Sequence, residues 1–187
     1  MPDWELHYQS REITGQPPAD VLMLNQHLLS GAGQALDYAC GLGANGIWLA
    51  NKGYHVSAWD SSKVAISKLS QYAEQNNLSI DAEVRDLEAV TVMQDKFDLV
   101  VVSFFLHRPT LNFISDMIKP GGLLFYQTFS GENNNGRGPS NPAFRLKRHE
   151  LLEVYNNMEL VFYREDNGLG DPCKGISDQV MFVAEKK

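Results

Sequence analysis

Short apolar runs alternate along the chain with longer stretches in which apolar side chains recur at helical spacing. This alternation predicts an α/β fold with a mainly parallel sheet. The apolar runs predict seven strands, at residues 34–38, 54–59, 80–84, 97–104, 122–128, 159–165 and 179–185. The fourth run is nearly all apolar over 99–102, as a central strand buried on both faces should be.

The stretches between these runs predict helices at residues 21–29, 44–52, 62–77, 110–119 and 147–157. Ser61 or Ser62 can cap the third helix, because a hydroxyl there accepts a bond from a free backbone N–H. Pro120-Gly121-Gly122 should end the fourth helix before the next strand. No helix separates the last two strands, so they should form an antiparallel hairpin. The predicted architecture is Rossmann-like, with seven mostly parallel strands, an antiparallel last strand and helices on both faces.

A chain of 187 residues suits a single domain. We expect residues 1–33 to form an N-terminal helical cover and residues 34–187 to form the Rossmann-like core. Residues 130–142 are too polar and too rich in Gly, Asn and Pro for a regular element. They therefore predict a long loop, and loops of about 12 residues are often lids over a site.

The sharpest feature is a glycine-rich turn between the first strand and the helix that follows it. The turn reads Asp37-Tyr-Ala-Cys-Gly41-Leu-Gly43-Ala-Asn45-Gly46. Glycines at such a turn let the backbone approach a ligand closely, and the helix N-terminus adds free N–H donors. The glycines also fit G-x-G-x-x-G, so a dinucleotide has to be weighed as the ligand.

Three carboxylates stand at or beside the carboxyl ends of neighbouring strands, where open α/β sheets bind ligands. Asp37 lies beside the carboxyl end of the first strand, Asp60 stands at the end of the second and Asp86 follows the third. A carboxylate in the position of Asp60 can accept both hydroxyls of an adenosine ribose. Each acid alone could be only a helix cap, but their joint placement predicts one nucleoside-shaped site.

On these residues the chain resembles a small class I S-adenosylmethionine-dependent methyltransferase, and within that class it is similar to the single-domain tellurite-resistance type. Residues 37–43 resemble the first motif of that class, Arg85-Asp86-Leu87 the adenine-side motif, and residues 97–108 the fourth strand with its exit loop. The resemblance implies S-adenosylmethionine as cofactor and S-adenosylhomocysteine as product. Ala39 departs from the pattern, because the family commonly has its first glycine there.

The resemblance also implies which residues bind the cofactor. They lie in the glycine turn and after the second, third and fourth strands, and the expected set is Asp37, Ala39, Gly41, Gly43, Asn45, Asp60, Ser61, Asp86, Leu87 and Ser103. Asp37 and the glycines of the turn would hold the amino-acid end of the cofactor. Asp60 would hold the ribose, and Asp86 with Leu87 would hold the adenine.

Candidates for a place near the methyl group follow the fourth strand. His107 could act as a base, because an unperturbed histidine pKa of about 6.5 lies near working pH; its alternative is loop packing or helix capping. Arg108 could hold an anionic substrate group or the cofactor carboxylate. Phe104 and Phe105 are expected to pack in the core, although one cation–π contact with the sulfonium would fit. A base is needed only for an acceptor that is protonated at neutral pH.

Two further segments carry candidate substrate contacts. In the family's pattern an aromatic N-terminal segment covers the cofactor, so Trp4, Tyr8 and Arg11 are expected walls of the substrate pocket; the alternative is a helix that only docks an apolar stripe. A basic cluster follows the long loop, at Arg137, Arg145, Lys147, Arg148 and His149. It is either a solvated helix start or an electropositive rim that attracts a small anion.

Charge and composition narrow the classes of partner. The 23 acidic and 16 basic side chains leave a formal net charge of −7, which argues against a nucleic acid held through its phosphates. The first residues lack a secretory pattern and no apolar run reaches the roughly 18 residues of a membrane span, so we expect a cytoplasmic protein without a membrane partner. Cys40 and Cys173 are too few for a disulfide framework. No Cys or His pair has zinc-ligand spacing, so no metal site is expected.

These observations predict a methyltransferase that acts on a small-molecule acceptor, with a small anion among the acceptors that the charges allow. An NAD-dependent oxidoreductase would share the glycines and Asp60. The 33 residues before the first predicted strand, the polar Asp86 and the final hairpin argue against it. A non-catalytic protein that retains the S-adenosylmethionine site is the other alternative.

Overall fold

The computed structural model describes residues 4–13, 16–89, 96–133, 136–171, 175–176 and 178–187. Its strands are β1 (Gly33–Tyr38), β2 (Tyr54–Asp60), β3 (Ile80–Val84), β4 (Phe97–Ser103), β5 (Ile118–Phe129), β6 (Met158–Glu165) and β7 (Gln179–Lys186). Its α-helices are α1 (Trp4–Gln9), α2 (Asp20–Leu24), α3 (Ala44–Asn51), α4 (Lys63–Gln75), α5 (Leu111–Asp116) and α6 (Glu150–Val154). Cys173 lies outside the described residues.

Within the described residues, the seven strands form one sheet in the order β3-β2-β1-β4-β5-β7-β6. The pairs β1–β2, β2–β3, β1–β4 and β4–β5 are parallel. Strand β7 runs antiparallel to both of its neighbours, β5 and β6. The predicted mostly parallel, Rossmann-like sheet with an antiparallel last strand is therefore confirmed.

Both faces of the sheet are buried. Leu99 and Val101 of β4 pack into one core with α3 and α4, whereas Val100 and Val102 pack into the other core with α5 and α6. Successive side chains of a strand point to opposite faces, so a strand between two cores has to be apolar at every position. The apolar run in the middle of β4 has this cause.

The start of β5 differs from the prediction. The helix expected at 110–119 ends at Asp116, and β5 begins at Ile118. Ile118 is buried and pairs with Phe97, after which the register shifts before Leu123 pairs with Leu99. Pro120-Gly121-Gly122 therefore lies in this irregular first part of the strand and does not terminate the helix. Pairing of Ile118 with the start of β4 outweighs the local turn signal.

Helices α3 and α4 lie within two residues of their predicted bounds, whereas α2 and α6 are shorter than predicted. The helix expected at 21–29 ends at Leu24, where the Asn25 side chain donates to the Val21 carbonyl (2.9 Å), and continues as a 3₁₀ turn. The helix expected at 147–157 is reduced to α6. Ser62, not Ser61, caps α4, because its hydroxyl accepts from the Ala65 N–H (3.1 Å). Among the described residues, no helix has the length and apolar character that crossing a membrane requires.

Candidate functional site

The turn after β1 runs in left-handed backbone. Ala39, Gly41 and Gly43 have φ values of 60°, 53° and 78°, which residues with a Cβ rarely adopt and glycine adopts freely. The Cys40 N–H donates to the Trp59 carbonyl (2.9 Å) and ties the turn to β2. Ala39 thus holds, under strain, a conformation that glycine adopts freely.

The two glycines of the turn serve different contacts. A Cβ on Gly41 would lie 2.7 Å from the Tyr8 hydroxyl, and a Cβ on Gly43 would lie 2.6 Å from the Leu69 side chain. Gly41 therefore lets α1 approach the turn, whereas Gly43 lets the start of α3 pack against α4. We expected both glycines to hold the cofactor, but only Gly41 lies in the cavity wall.

Asp37 supports the turn from behind. The side chain is fully buried, its Oδ2 accepts the Gly46 N–H (2.8 Å), and its Oδ1 accepts from Asn45 Nδ2 (3.2 Å). Burial raises the pKa of Asp37 to about 6, although both hydrogen bonds favour the charged form. Asp37 does not line the cavity, and its contacts within the protein are those that shape the turn.

Two buried amides hold the residues before α2 over the carboxyl ends of the strands. Asn45 Oδ1 accepts the Ala19 N–H (2.9 Å), while its Nδ2 also donates to the Ser103 hydroxyl (2.8 Å). Gln127 of β5 accepts the Val21 N–H (2.8 Å). Asn45 and Ser103 were expected at the site, whereas the sequence analysis missed Gln127.

Asp60 connects three parts of the site. Its Oδ2 accepts the Gly41 N–H (2.8 Å) and its Oδ1 accepts the Ser62 N–H (2.9 Å), so it joins β2 to the glycine turn and to the start of α4. Burial raises the pKa of Asp60. The Ser61 N–H is a third backbone partner of this carboxylate. A carboxylate has about four lone-pair sites, so Asp60 keeps acceptor capacity for a hydroxyl in the cavity that it faces.

The segment after β3 forms the neighbouring wall. The exposed Asp86 accepts the Glu88 N–H (3.0 Å). Leu87 is buried, and its carbonyl accepts the Tyr38 hydroxyl (2.8 Å). An apolar side chain beside a carboxylate at this strand end provides a surface and a polar contact for a flat ring with an amino group.

One face of the N-terminal segment lines the cavity, at Trp4, His7, Tyr8 and Arg11. These positions follow helical spacing, and the Trp4 and Tyr8 rings stack with centroids 6.0 Å apart. Burial lowers the pKa of His7, and the nearby Arg11 cation lowers it further. His7 was missed, although its spacing from Trp4 and Arg11 places it on their face.

Helix α1 is fastened to α4 at both of its ends. Glu5 accepts bonds from the Lys63 N–H (2.8 Å), the Val64 N–H (3.0 Å) and the Ser62 hydroxyl (2.8 Å) at the start of α4. Lys68 donates from its Nζ to three carbonyls at and beyond the end of α1. The carboxylate and the ammonium thus neutralise opposite helix ends and hold α1 over the cavity.

The cavity between α1 and the strand ends has a volume of about 670 Å³. The expected residues found in its walls are Trp4, Tyr8, Arg11, Ala39, Gly41, Asn45, Asp60, Ser61, Asp86, Leu87 and Ser103. Residues in its walls that were not expected there include His7, Cys40, Glu88, Phe104, Phe105 and Gln127. The described residues contain no group of three His, Cys, Asp or Glu side chains placed to hold a metal ion.

His107 and Arg108, the expected catalytic residues, lie outside the cavity wall. The Arg108 guanidinium forms two bonds with the Glu150 carboxylate (2.6 and 2.9 Å) and donates to the Ala143 and Arg145 carbonyls. Its donors therefore tie the β4 exit to α6. This geometry supports a structural role for Arg108 and gives no support to catalysis by either residue.

The phenylalanines after β4 also depart from expectation. The Phe104 side chain is half exposed, in the wall of the cavity, and does not pack in the core. Phe105 lies against the Tyr38 ring (5.6 Å between centroids) and reaches both the core and the cavity. The left-handed backbone of Phe104, with φ 55°, turns its ring away from the direction that strand alternation predicts.

The basic cluster after the long loop does not behave as one surface. Arg145 is 2% exposed and lies with its guanidinium 5.2 Å from the centre of the Phe129 ring. Its nitrogen atoms donate to the carbonyls of Ser130, Gly131, Glu132, Arg137, Pro139 and Asp178. Arg145 is thus neither part of a solvated helix start nor part of an electropositive rim; it anchors the loop.

Comparison with known proteins gives a family and several curated relatives. The model of the family described as "Tellurite resistance protein TehB" matches residues 14–174. The probable S-adenosyl-L-methionine-dependent methyltransferase TehB of Haemophilus influenzae is 28% identical over 141 residues, which make up 72% of this chain and 49% of that protein. Hemagglutinin 1 of Eikenella corrodens is 30% identical over 161 residues, 80% of this chain and 52% of that protein. The chain spans about half the length of the curated relatives it matches.

The fold is also found among solved structures. The crystal structure of TehB from Haemophilus influenzae superimposes with a TM-score of 0.75 at 24% sequence identity, covering 98% of this chain and 67% of that one. That likeness shows a shared Rossmann-like fold.

Proposed function

Because the chain belongs to the TehB family of tellurite resistance proteins, whose model matches most of its length, we propose that it transfers a methyl group from S-adenosyl-L-methionine to a small-molecule acceptor. The observation that carries the proposal is the position of Asp60. Its buried carboxylate faces the cavity at the end of β2, beside the glycine turn, with acceptor capacity left beyond the backbone N–H groups that it binds.

The cavity walls fit the parts of this cofactor in order along the sheet. Asp86 and Leu87 would hold the adenine beyond β3, Asp60 would accept the ribose hydroxyls, and the turn at Gly41 with Asn45 would receive the amino-acid end. When bound, S-adenosylmethionine supplies a methyl group activated by a sulfonium. Asp37 contributes by fixing the turn through Gly46 and Asn45.

The chain's own contribution to the reaction is alignment and exclusion of water. Holding an acceptor in a near-attack geometry can supply about 7–11 kcal/mol of the barrier. Trp4 and Tyr8 cover the cavity from α1, which is fastened at both ends. His7, neutral at pH 7 because burial lowers its pKa, can accept a proton from an alcohol or amine; a thiolate acceptor needs no base.

Size and charge indicate the acceptor class. Helix α1 covers the cavity and the net charge of −7 disfavours a polyanion, so a nucleic acid is a poor acceptor. The exposed side chain of Arg11 places a cation in the cavity wall, which favours a small anion. Cys40, a buried free thiol, is compatible with a reducing cytoplasm.

Calorimetric titration with S-adenosylhomocysteine tests the cofactor assignment. We expect tight binding by the wild-type protein and no response to NADH. Asp60→Asn keeps one acceptor oxygen for the backbone but loses a charged acceptor, and a charged hydrogen bond contributes about 1.5–3 kcal/mol, so we expect affinity to fall roughly 10- to 150-fold. Asp81→Ala, which removes an exposed acid paired with His55, is the matched control and should bind normally.

The outcomes separate the alternatives. Binding of NADH without binding of S-adenosylhomocysteine supports the oxidoreductase. Unchanged affinity in Asp60→Asn would show that the ribose assignment is wrong. Incubation with radiolabelled cofactor and a panel of thiols, metalloid oxyanions, amines and carboxylates tests turnover, and binding with no labelled acceptor in the panel favours a non-catalytic binding protein.

A further inference from the structure

Phe104 combines two unusual properties in the wall of the cavity. Its backbone is left-handed, with φ 55°, a conformation that is a true outlier for a bulky side chain. Its side chain is 50% exposed although it is large and apolar. A strained residue with little burial of its own persists only where the surrounding structure imposes it, and such residues cluster at functional sites.

Contacts with β5 hold Phe104 in this conformation. Its N–H donates to the Gln127 carbonyl (2.8 Å), and its ring lies 5.4 Å from the ring of Phe129. The Arg145 guanidinium lies 5.2 Å from the centre of the same Phe129 ring. Gly138 of the loop packs so closely on Phe129 that a Cβ there would lie 2.5 Å from the ring. The aromatic wall is therefore built on a fixed support.

The sheet order places Phe104 on the acceptor side of the cavity. Asp60 and Asp86 follow β2 and β3, which lie on one side of β1. Phe104 follows β4, on the other side of β1, next to Gln127 of β5. If the nucleoside lies over β2 and β3, the wall at Phe104 faces the space beyond the glycine turn, where the acceptor has to enter.

Arg11 and Trp4 stand in the wall of the same cavity, on the N-terminal segment that is fastened to α4. Trp4 is 43% exposed and is the second large, exposed aromatic side chain in the wall. Arg11 brings a guanidinium whose charge reaches His7 and Tyr8, and within the described part of the chain no carboxylate forms an ion pair with it. The wall thus offers apolar rings together with a cation.

We propose that Phe104 determines acceptor specificity, and that the acceptor is a small organic molecule with a planar apolar body for Phe104 and an anionic group for Arg11. This inference rests on the proposed function and deepens it. Planar rings favour offset or edge contacts with an aromatic wall, whereas an inorganic oxyanion would use only the cation. An aromatic acid with a nucleophilic substituent has the chemistry that both features recognise.

Two carboxylate-bearing alkyl thiols serve as probes, 4-(mercaptomethyl)benzoate, which has a ring, and 3-mercaptopropionate, which has none. In either reaction the thiolate sulfur forms a bond to the methyl carbon while the sulfonium–methyl bond breaks. The electron pair of the broken bond stays on the cofactor sulfur, which becomes a neutral thioether, and the thiol proton is released to solvent when the thiolate forms. We expect the wild-type KM for the ring-bearing thiol to be at least about tenfold lower than the KM for 3-mercaptopropionate.

Phe104→Gly tests the residue without endangering the fold, because glycine adopts a φ of 55° without strain. We expect the KM for the ring-bearing thiol to rise about tenfold, the KM for 3-mercaptopropionate to stay within about threefold, and the S-adenosylhomocysteine affinity to be unchanged. The melting temperature should not fall. Asn77→Gly, at an exposed turn with φ 52°, relaxes the same backbone strain away from the cavity and should leave both KM values unchanged. Phe104→Leu, which keeps apolar bulk but loses the plane, should raise the KM for the ring-bearing thiol alone.

Each remaining outcome has a defined meaning. Wild-type protein that binds S-adenosylhomocysteine but methylates the two thiols equally well, or neither of them, overturns the inference on the acceptor and leaves the cofactor assignment standing. Equal KM increases for both thiols in Phe104→Gly also overturn the inference, because Phe104 would then affect acceptor binding without distinguishing a planar acceptor from one that has no ring. Absence of S-adenosylhomocysteine binding is a failure of the proposed function itself.

Discussion

Replacing Asp37 by asparagine should change how the stability of the protein depends on pH. The fully buried carboxyl has its pKa raised by burial from 3.8 to about 6. The folded state therefore binds this proton more tightly than the unfolded state does. As pH rises from about 4 to 6, the unfolded chain releases the proton first, so the contribution of Asp37 to the free energy of unfolding falls and then levels off.

The size of the effect follows from the two pKa values. At 1.36 kcal/mol for each pH unit, the difference between 3.8 and about 6 amounts to about 3 kcal/mol. Asp37→Asn keeps the shape of the side chain and an oxygen for the Gly46 N–H but cannot titrate. The unfolding free energy of the wild type minus that of the variant should thus fall by roughly 2 kcal/mol between pH 4 and pH 7, because the unfolded carboxyl is already more than half ionised at pH 4.

Urea unfolding at pH 4, 6, 7 and 8 measures this difference, with points near the isoelectric point of about 5.2 avoided. Asp98→Asn is the matched control of opposite sign, because the Gln34 N–H and Lys119 lower the pKa of Asp98. That carboxylate contributes stability above its unfolded pKa, and the contribution is lost as pH falls through its folded pKa. Parallel stability curves for the wild type and Asp37→Asn would refute the reasoning.

Three further predictions concern the fastening of α1, the glycine turn and the loop anchor. Glu5→Ala should speed amide hydrogen exchange in α1 and weaken S-adenosylhomocysteine binding, with exchange in the central strands unchanged. The same exchange rates in α1 of the variant and the wild type would contradict the role of Glu5 in fastening α1 to α4. Gly43→Ala should destabilise the fold by about 2–4 kcal/mol in urea unfolding, from backbone strain and overpacking, whereas Gly131→Ala, with a similar φ and open space, should cost only about 1–2 kcal/mol. Arg145→Met should lower the unfolding free energy by about 3–5 kcal/mol, because it leaves the buried carboxylate of Asp178, which lies 3.7 Å from the guanidinium, and several carbonyls unpaired. A loss below about 1 kcal/mol would contradict the anchoring role.

The sheet could be predicted because burial on both faces leaves a direct trace in the sequence. A strand such as β4, which packs into two cores, has to be apolar at successive positions. The strand ends then locate Asp60 and Asp86, because ligands bind at the carboxyl ends of parallel strands. The start of β5 was not predictable in this way, since pairing of Ile118 with Phe97 overrides a local Pro-Gly-Gly signal.

The parts of the site that sequence patterns missed depend on the direction of single side chains. Asp37 lies at the carboxyl end of β1 as predicted, yet its carboxylate points to Gly46 and is not in the cavity wall. Arg108 follows β4 as predicted, yet Glu150 binds it 42 positions away in sequence. Phe104 leaves strand geometry through one backbone angle. Contacts between positions that are distant in sequence set the direction of each of these side chains, and local periodicity in the sequence does not predict such contacts.

The anchoring of the long loop by Arg145 bears on how this protein can evolve. The guanidinium holds the loop through backbone carbonyl oxygens, which every amino acid supplies whatever its side chain. Apart from Gly138, where a Cβ would meet the Phe129 ring, positions between Gly131 and Asn141 can therefore change without loosening the attachment, as long as the chain length and the turn geometry persist. The loop next to the Phe104 wall is free to diverge in sequence, and acceptor preference can change there while the cofactor site stays the same.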